Sequence, residues 1–211
     1  MEITCNNEIL ILSANRALYW PRKKTLVVAD MHLGKTGYFR SNGIPIPSTV
    51  MQSDLQRLSV LIQTYQPEKI IVAGDMFHHD YNADMAIFKA WRNRYAPIEI
   101  KLVPGNHDLL ADIDYQDLNI RVTPDVYIEE PFVVRHHPSE NPSQFEINGH
   151  LHPGYILSGK ARQVLRLPCF VVTPHQIILP AFSLFTGLYM GYKPHSLAHH
   201  FIIVNDEVLK A

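Results

Sequence analysis

Three apolar runs, TLVVAD (25–30), KIIVAGD (69–75) and IEIKLVPGNHD (98–108), each end in side chains that turn a chain or bind a metal. Each reads as a buried strand emptying into a loop. Between the first two lies PSTVMQSDLQRLSVLIQTYQ, where Met51, Leu55, Leu58, Ile62 and Tyr65 keep helical spacing and Ser48 is placed to cap. Between the second and third lies NADMAIFKAWRNRYAP, with Asn82 as cap and Pro97 as stop. Strand, helix, strand, helix, strand is the order of a parallel α/β sheet. Such a sheet gathers its strand-end side chains along one edge, where open α/β sheets place their sites. Beyond residue 118 the pattern changes. FVVRHHP, SQFEINGH, QVLRLPCFVVT, HQIILP and HFIIVNDEVLK are strand-length pieces with little helix between them. The expectation is an α/β chain, βαβ-like in its first half and mostly β in its second. No repeat or linker divides it, so residues 1–211 read as one domain.

Composition narrows the class. Hydrophobic residues make up 46% and charged residues 18%, as in ordinary globular proteins. A formal net charge of -1 says nothing in favour of a surface that coats nucleic acid broadly, so any phosphate contact would have to be local. Cys5 and Cys169 are too few for a disulfide framework and are not spaced as a zinc clip. The opening MEITCNNEIL is not a signal peptide, and the apolar run IILPAFSLFTGLYMG is broken by Pro180, so no membrane contact and a cytoplasmic location are expected.

Histidine is the unusual count: there are 12, several in tight clusters. In INGHLHPG (147–154), His150 and His152 stand two apart and project to one side of an extended segment. The strand ends supply partners: Asp30 and His32, Asp75, Asn106, and the pair His136 and His137. Seven such groups suffice for two metal ions. Asp30, His32, Asp75 and His152 would hold one; Asp75, Asn106, His136 and His150 would hold the other, with Asp75 bridging. Taken singly, Asp and Asn after a strand are turn formers; gathered with five histidines they point to metal. The donors are nitrogen and oxygen without thiolate, which suits manganese, iron or zinc. Glycines before Asp75, Asn106 and His150 let the backbone turn beside the ions.

The ordered blocks D-x-H, G-D, G-N-H-D, H and G-H-x-H, spanning residues 30 to 152, resemble the calcineurin-like metallophosphoesterase superfamily. That resemblance implies a four-layer αββα sandwich with a dinuclear site where two facing sheets end. A narrower similarity runs through ADMHLGKTGYFRSNGIPIP (29–47), GDMFHHD (74–80), GHLHPG (149–154), LRLPCF (165–170) and LPAFSLFTGL (179–188). These segments look like the ligase-associated DNA-damage-response endonucleases of bacteria, manganese-dependent phosphodiesterases. The resemblance implies DNA as substrate, two divalent ions with manganese favoured over iron or zinc, and a repair setting shared with a DNA ligase, a helicase and an exonuclease. It also selects His136 over His137, because relatives carry one histidine two before the proline.

The resemblance makes His107 the general acid for the leaving oxygen, with Asp108 expected to orient it by accepting a hydrogen bond from its ring, while a hydroxide held between the ions attacks phosphorus. Lys35 and Arg40 follow His32 on what reads as an overhanging loop and would contact phosphate. Lys160, Arg162 and Arg166 extend a groove or form a solvated strand face. Phe39 and Phe185 stack on a base or, by preference, pack in the core. His78 takes a supporting or substrate-contacting role, or lies on the surface; His79 has none, and His175, His195, His199 and His200 read as ordinary. Two rival functions stand beside the nuclease: a phosphatase or phosphodiesterase for small esters, and a scaffold that has lost catalysis. The intact ligand set speaks against the second.

Overall fold

The computed structural model describes residues 1–47, 49–78, 82, 84–159, 163–194 and 197–211. Ser48, His79, Lys160, Arg162 and His195 therefore lie outside the described residues. The three sequence-predicted strands are β4 (Thr25–Val28), β5 (Lys69–Ala73) and β6 (Glu99–Val103), parallel and adjacent. In β5, Ile70 and Val72 face the helices while Ile71 and Ala73 face the second sheet. Both faces are buried, which is why these strands are apolar throughout rather than alternating. β7 (Ile120–Val122) extends the parallel set. On the other edge β1 (Glu2–Cys5), β2 (Glu8–Ser13) and β3 (Ala17–Trp20) form an antiparallel meander joined to β4, giving seven strands.

The second sheet has the order β15 (Glu207–Lys210), β14 (His199–Val204), β12 (Val164–Val172), β13 (Gln176–Ile178), β10 (Phe145–Asn148), β9 (Phe132–Arg135), β8 (Val126–Glu129). A further strand, β11 (Gly154–Ser158), pairs with β12 off this path. β10 is parallel to both β9 and β13, and the other pairs are antiparallel. The two sheets meet across Val27, Ile71, Val103, Phe132, Phe170 and Leu179, all fully buried. Truncating a buried phenylalanine such as Phe132 would cost about 3–5 kcal/mol.

Helices α2 (Thr49–Tyr65) and α3 (Asp84–Arg94) cover the outer face of the first sheet. Met51, Leu55, Leu58 and Ile62 of α2 are the buried stripe that the spacing predicts. Asn82 caps α3: its Oδ1 accepts the Asp84 N–H at 3.0 Å. Two short helices escaped the sequence reading, α1 (Lys35–Ser41) and α4 (Asp112–Asp117). The α/β sandwich of two facing sheets is there, with one difference in its outer layer. Among the described residues no helix covers the second sheet. Leu151, Tyr155, Leu167, Tyr192 and Ala198, from β11, the adjoining part of β12 and extended chain, pack over Cys169, Val171, Ile178 and Ile202 instead. That face offers a small apolar patch, and flat extended chain suffices to shield it. No helix of the described residues is long and apolar enough to cross a membrane.

Candidate metal centre

The strand ends converge. Asp30 follows β4, Asp75 follows β5, Asn106 and His107 follow β6, His136 follows β9, and His150 and His152 follow β10. Asp30, Asp75, His32 and His136 are buried, His150 and His152 half-buried, and Asn106 exposed at the rim. Asp30, His32 and His152 each bring one ligand atom within 4.8 Å of the others. So do Asp30, Asp75 and His136, and so do His136, His137 and His150. Asp75 sits in the middle: its Oδ2 lies 3.4 Å from His136 Nε2 and 3.9 Å from His32 Nε2. Asn106 Oδ1 is 3.3 Å from His136 Nε2, which is 3.2 Å from His150 Nδ1. His152 Nε2 is 3.3 Å from Asp30 Oδ1.

The backbone is bent to make this possible. Asp30, His32, Asp75, His150 and His152 all have φ between 46° and 70°, a region side chains other than glycine rarely adopt. Strain gathered on proposed ligands points to function. Of the three glycines expected to turn the chain, only Gly74 has positive φ, at 83°. There a Cβ would lie 2.1 Å from His136 Nδ1. Gly105 and Gly149 serve closeness instead: a Cβ would meet Asp75 Oδ1 at 2.3 Å and the Ala73 carbonyl oxygen at 2.6 Å, respectively. Both Asp30 oxygens accept the His150 N–H, at 3.1 and 3.0 Å, and Asp75 Oδ1 accepts the His107 N–H at 2.9 Å.

Electrostatics suit a cation. Burial pulls the Asp75 carboxyl upward, yet hydrogen bonding and charge from His136, the His107 amide and the charge of His32 hold it below the usual carboxylate range. Burial pushes the His32 imidazole down to about 3, against the attraction of Asp75. Burial, then His137 and His136, lower His150 as well. His136 moves the other way, because Asp75 and Asp30 outweigh its burial. The lowered His32 and His150 imidazoles and the lowered Asp75 carboxyl favour the protonation states metal ligands require, while His136 would release a proton on binding an ion. Among the described residues the buried His32 Nδ1 makes no hydrogen bond, and neither does His152 Nε2 despite lying beside Asp30. Orphaned buried nitrogens of this kind fit coordination by an ion.

Other predicted site residues land differently. His107 is half-buried, its ring 5.2 Å from that of His32 and stacked on His78 at 5.0 Å. Asp108 does not hydrogen-bond His107; its oxygens accept the N–H groups of Phe77 and Gly105, both at 2.9 Å, tying the β5 and β6 loops together. Lys35 and Arg40 stand on helix α1, not on a loop. Five residues apart on a helix they point different ways. Lys35 is half-buried, feels the charge of Asp75, and places Nζ 5.7 Å from the Phe185 ring centroid. Arg40 is engaged by the buried Asp84 and by the Ile46 carbonyl. Arg166 is exposed on β12, opposite Ile156. Phe39 and Phe185 are half-buried in an aromatic group beside His78 rather than in the core.

Sequence reasoning missed the backing of Asp30. Phe182 N–H donates to the Ala29 carbonyl at 2.8 Å and Ser183 N–H to that of Asp30 at 3.2 Å. Arg16 donates to the Ala181 and Ser183 carbonyls at 3.2 and 2.8 Å, and Arg57 donates to that of Phe182. The signal was the segment LPAFSLFTGL, but nothing local in it names its distant partners.

A family model described as calcineurin-like phosphoesterase matches residues 23–169. Among solved structures, nuclease MPE from Pseudomonas putida is similar over 100% of this chain and 99% of its own, with 31% identity and a TM-score of 0.83. The phosphoesterase Yfce from E. coli is similar over 89% of this chain and 97% of its own, with 14% identity and a TM-score of 0.47. Among curated proteins none matches.

Proposed function

The chain belongs to the calcineurin-like phosphoesterase family, hydrolases of phosphoester bonds, and from that premise we propose that it is a metal-dependent phosphodiesterase that cuts DNA. One observation carries this reading: two buried carboxylates and a ring of imidazoles, drawn from both sheets, converge on one point. The similarity to the Pseudomonas putida nuclease supports the choice of a nucleic acid over a small ester.

Asp30, His32, Asp75 and His152 would hold one divalent ion, and Asp75, Asn106, His136 and His150 a second. Manganese is favoured, with iron and zinc suited to the same donors. When bound, such ions offset the charge of a phosphodiester and supply the Lewis acidity that activates water at neutral pH. The chain's own groups do the rest. Asp75 orients His107 through the backbone amide, so the base of the β6 loop is fixed to the centre it serves. His107, between His32 and His78, gives its proton to the leaving alkoxide oxygen. Asp108 acts on the loop rather than on the imidazole, through two backbone amides. Lys35 pairs with a non-bridging phosphate oxygen, while Arg40 stays with Asp84 and braces α1 against α3. With a formal charge of -1, nucleic-acid contact is expected to be local rather than spread over the surface. A cytoplasmic repair setting beside a DNA ligase, a helicase and an exonuclease rests on the sequence resemblance alone.

The test strips the protein of metal and refills it with manganese, iron or zinc. Cleavage of single-stranded DNA is then compared with hydrolysis of p-nitrophenyl phosphate. Manganese is expected to restore DNA cleavage, with the diester preferred. Preference for the monoester overturns the nuclease reading, and failure of every metal to restore either activity overturns the metal centre.

A further inference from the structure

A groove of about 740 Å³ opens beside the ligand cluster, and no step above uses it. His137 and His150 belong to both, so the groove starts at the proposed ligands. Its walls also include His175, Lys193 and Tyr189, and Glu140 is the one carboxylate among its lining residues. A lone phosphate ester held at the cluster would leave this space empty. A polymer has somewhere to continue.

Tyr189 is the unusual member. It is 52% exposed, yet its backbone is fastened on both sides to the loop that carries His152. Its N–H donates to the His152 carbonyl at 2.9 Å, and its carbonyl accepts the Gly154 N–H at 3.0 Å. Gly191 sits against the ring: a Cβ there would lie 2.8 Å from ring carbon Cζ. The ring thus rests on bare backbone. An exposed aromatic ring fixed to the ligand loop gains little for folding, because half of it stays in water. It suits a partner that brings a flat face of its own. Tyrosine stacks at low entropic cost, and each nucleobase has such a face only when it is unpaired.

We propose that this groove takes the strand on one side of the scissile phosphodiester and that Tyr189 stacks on an unpaired base there. The inference rests on the nuclease reading and deepens it, since it makes the substrate a single-stranded polynucleotide. Lys193 and the imidazoles line the strand's path, where its phosphates need cationic or donor neighbours.

The test measures affinity of the manganese-loaded protein for a fluorescent single-stranded oligodeoxynucleotide by anisotropy, with cleavage followed in parallel. Tyr189→Ala is expected to weaken binding at least about fivefold, and Tyr189→Phe by less than about twofold. Removing the base at one position near the cut is expected to weaken wild-type binding by a similar factor and to leave Tyr189→Ala unaffected. Equal affinity of Tyr189→Ala and wild type overturns the stack. So does a base-removal penalty that persists in full in the variant, or one that a duplex of the same sequence also shows. A wild type that binds through Tyr189 but hydrolyses no DNA with any metal ends the nuclease reading and leaves the groove standing.

Discussion

Where β4 and β5 begin, Glu129 of β8 reaches from the second sheet to the first. It accepts from Lys23 at 2.9 Å, Lys69 at 2.5 Å and the Tyr127 hydroxyl at 2.7 Å. Where the same strands end, the ion-pair partners of Asp30 and Asp75 among the described residues are imidazoles. Both ends set carboxylates between the sheets, half-buried Glu129 at the first and buried Asp30 and Asp75 at the second. The first end answers them with permanent cations, and the second with groups that can be neutral. The contrast teaches what each end is for. A carboxylate matched by lysines holds two sheets together, while two carboxylates that face imidazoles, with burial lowering His32 even as Asp75 raises His136, leave room for positive charge from outside the chain. Glu129 registers the difference: burial pushes its carboxyl up, but Lys69, Tyr127 and Lys23 overcome that and hold it at about 2.

Removing charge at the site end should have the largest effect. Asp75→Asn is expected to cut hydrolysis roughly a thousandfold or more, and to lower bound metal per chain by elemental analysis. Near-normal activity with full metal content would break the comparison at its root. His107→Gln should cost about a hundredfold to ten-thousandfold in kcat while metal content holds, because it removes a proton and not a ligand. Retained activity would move the acid to another residue. The smallest effect belongs to the other end. Glu129→Gln should leave the centre alone and lower stability at neutral pH by about 2 kcal/mol in urea unfolding. Because the folded pKa lies below the ordinary value of 4.5, this stabilisation is present above that value. It is lost as pH falls toward about 2, so wild type and variant should converge in acid. A gap that instead widens in acid would show that Glu129 is not held ionised by its lysines.

Much of the site end was legible because its residues follow strands whose apolar runs are unbroken, and their types share one chemistry. Asp30, Asp75 and the 150/152 pair could be read that way. The antiparallel β1–β3 were not anticipated. The β1–β2 turn uses Asn6 and Asn7, with φ of 49° and 63°, and β3 is buried on all four residues, so no two-residue alternation marks it. Side-chain partners were the other gap. Asp108 is next to His107 in the chain but spends its oxygens on backbone amides, and Arg40 turns with α1 toward Asp84. Adjacency in sequence says who is near, not which donor wins.

The bonds that residues 181–183 make to Ala29 and Asp30 carry a lesson for anyone wishing to trim this protein. Every proposed ligand lies before residue 153, and the family match stops at 169. A chain cut to that length would keep all of its ligand residues and lose the latch behind the first of them. The recognisable motif is thus shorter than the unit that holds the site, since the segment beyond it supplies no proposed ligand and yet braces the backbone at Asp30.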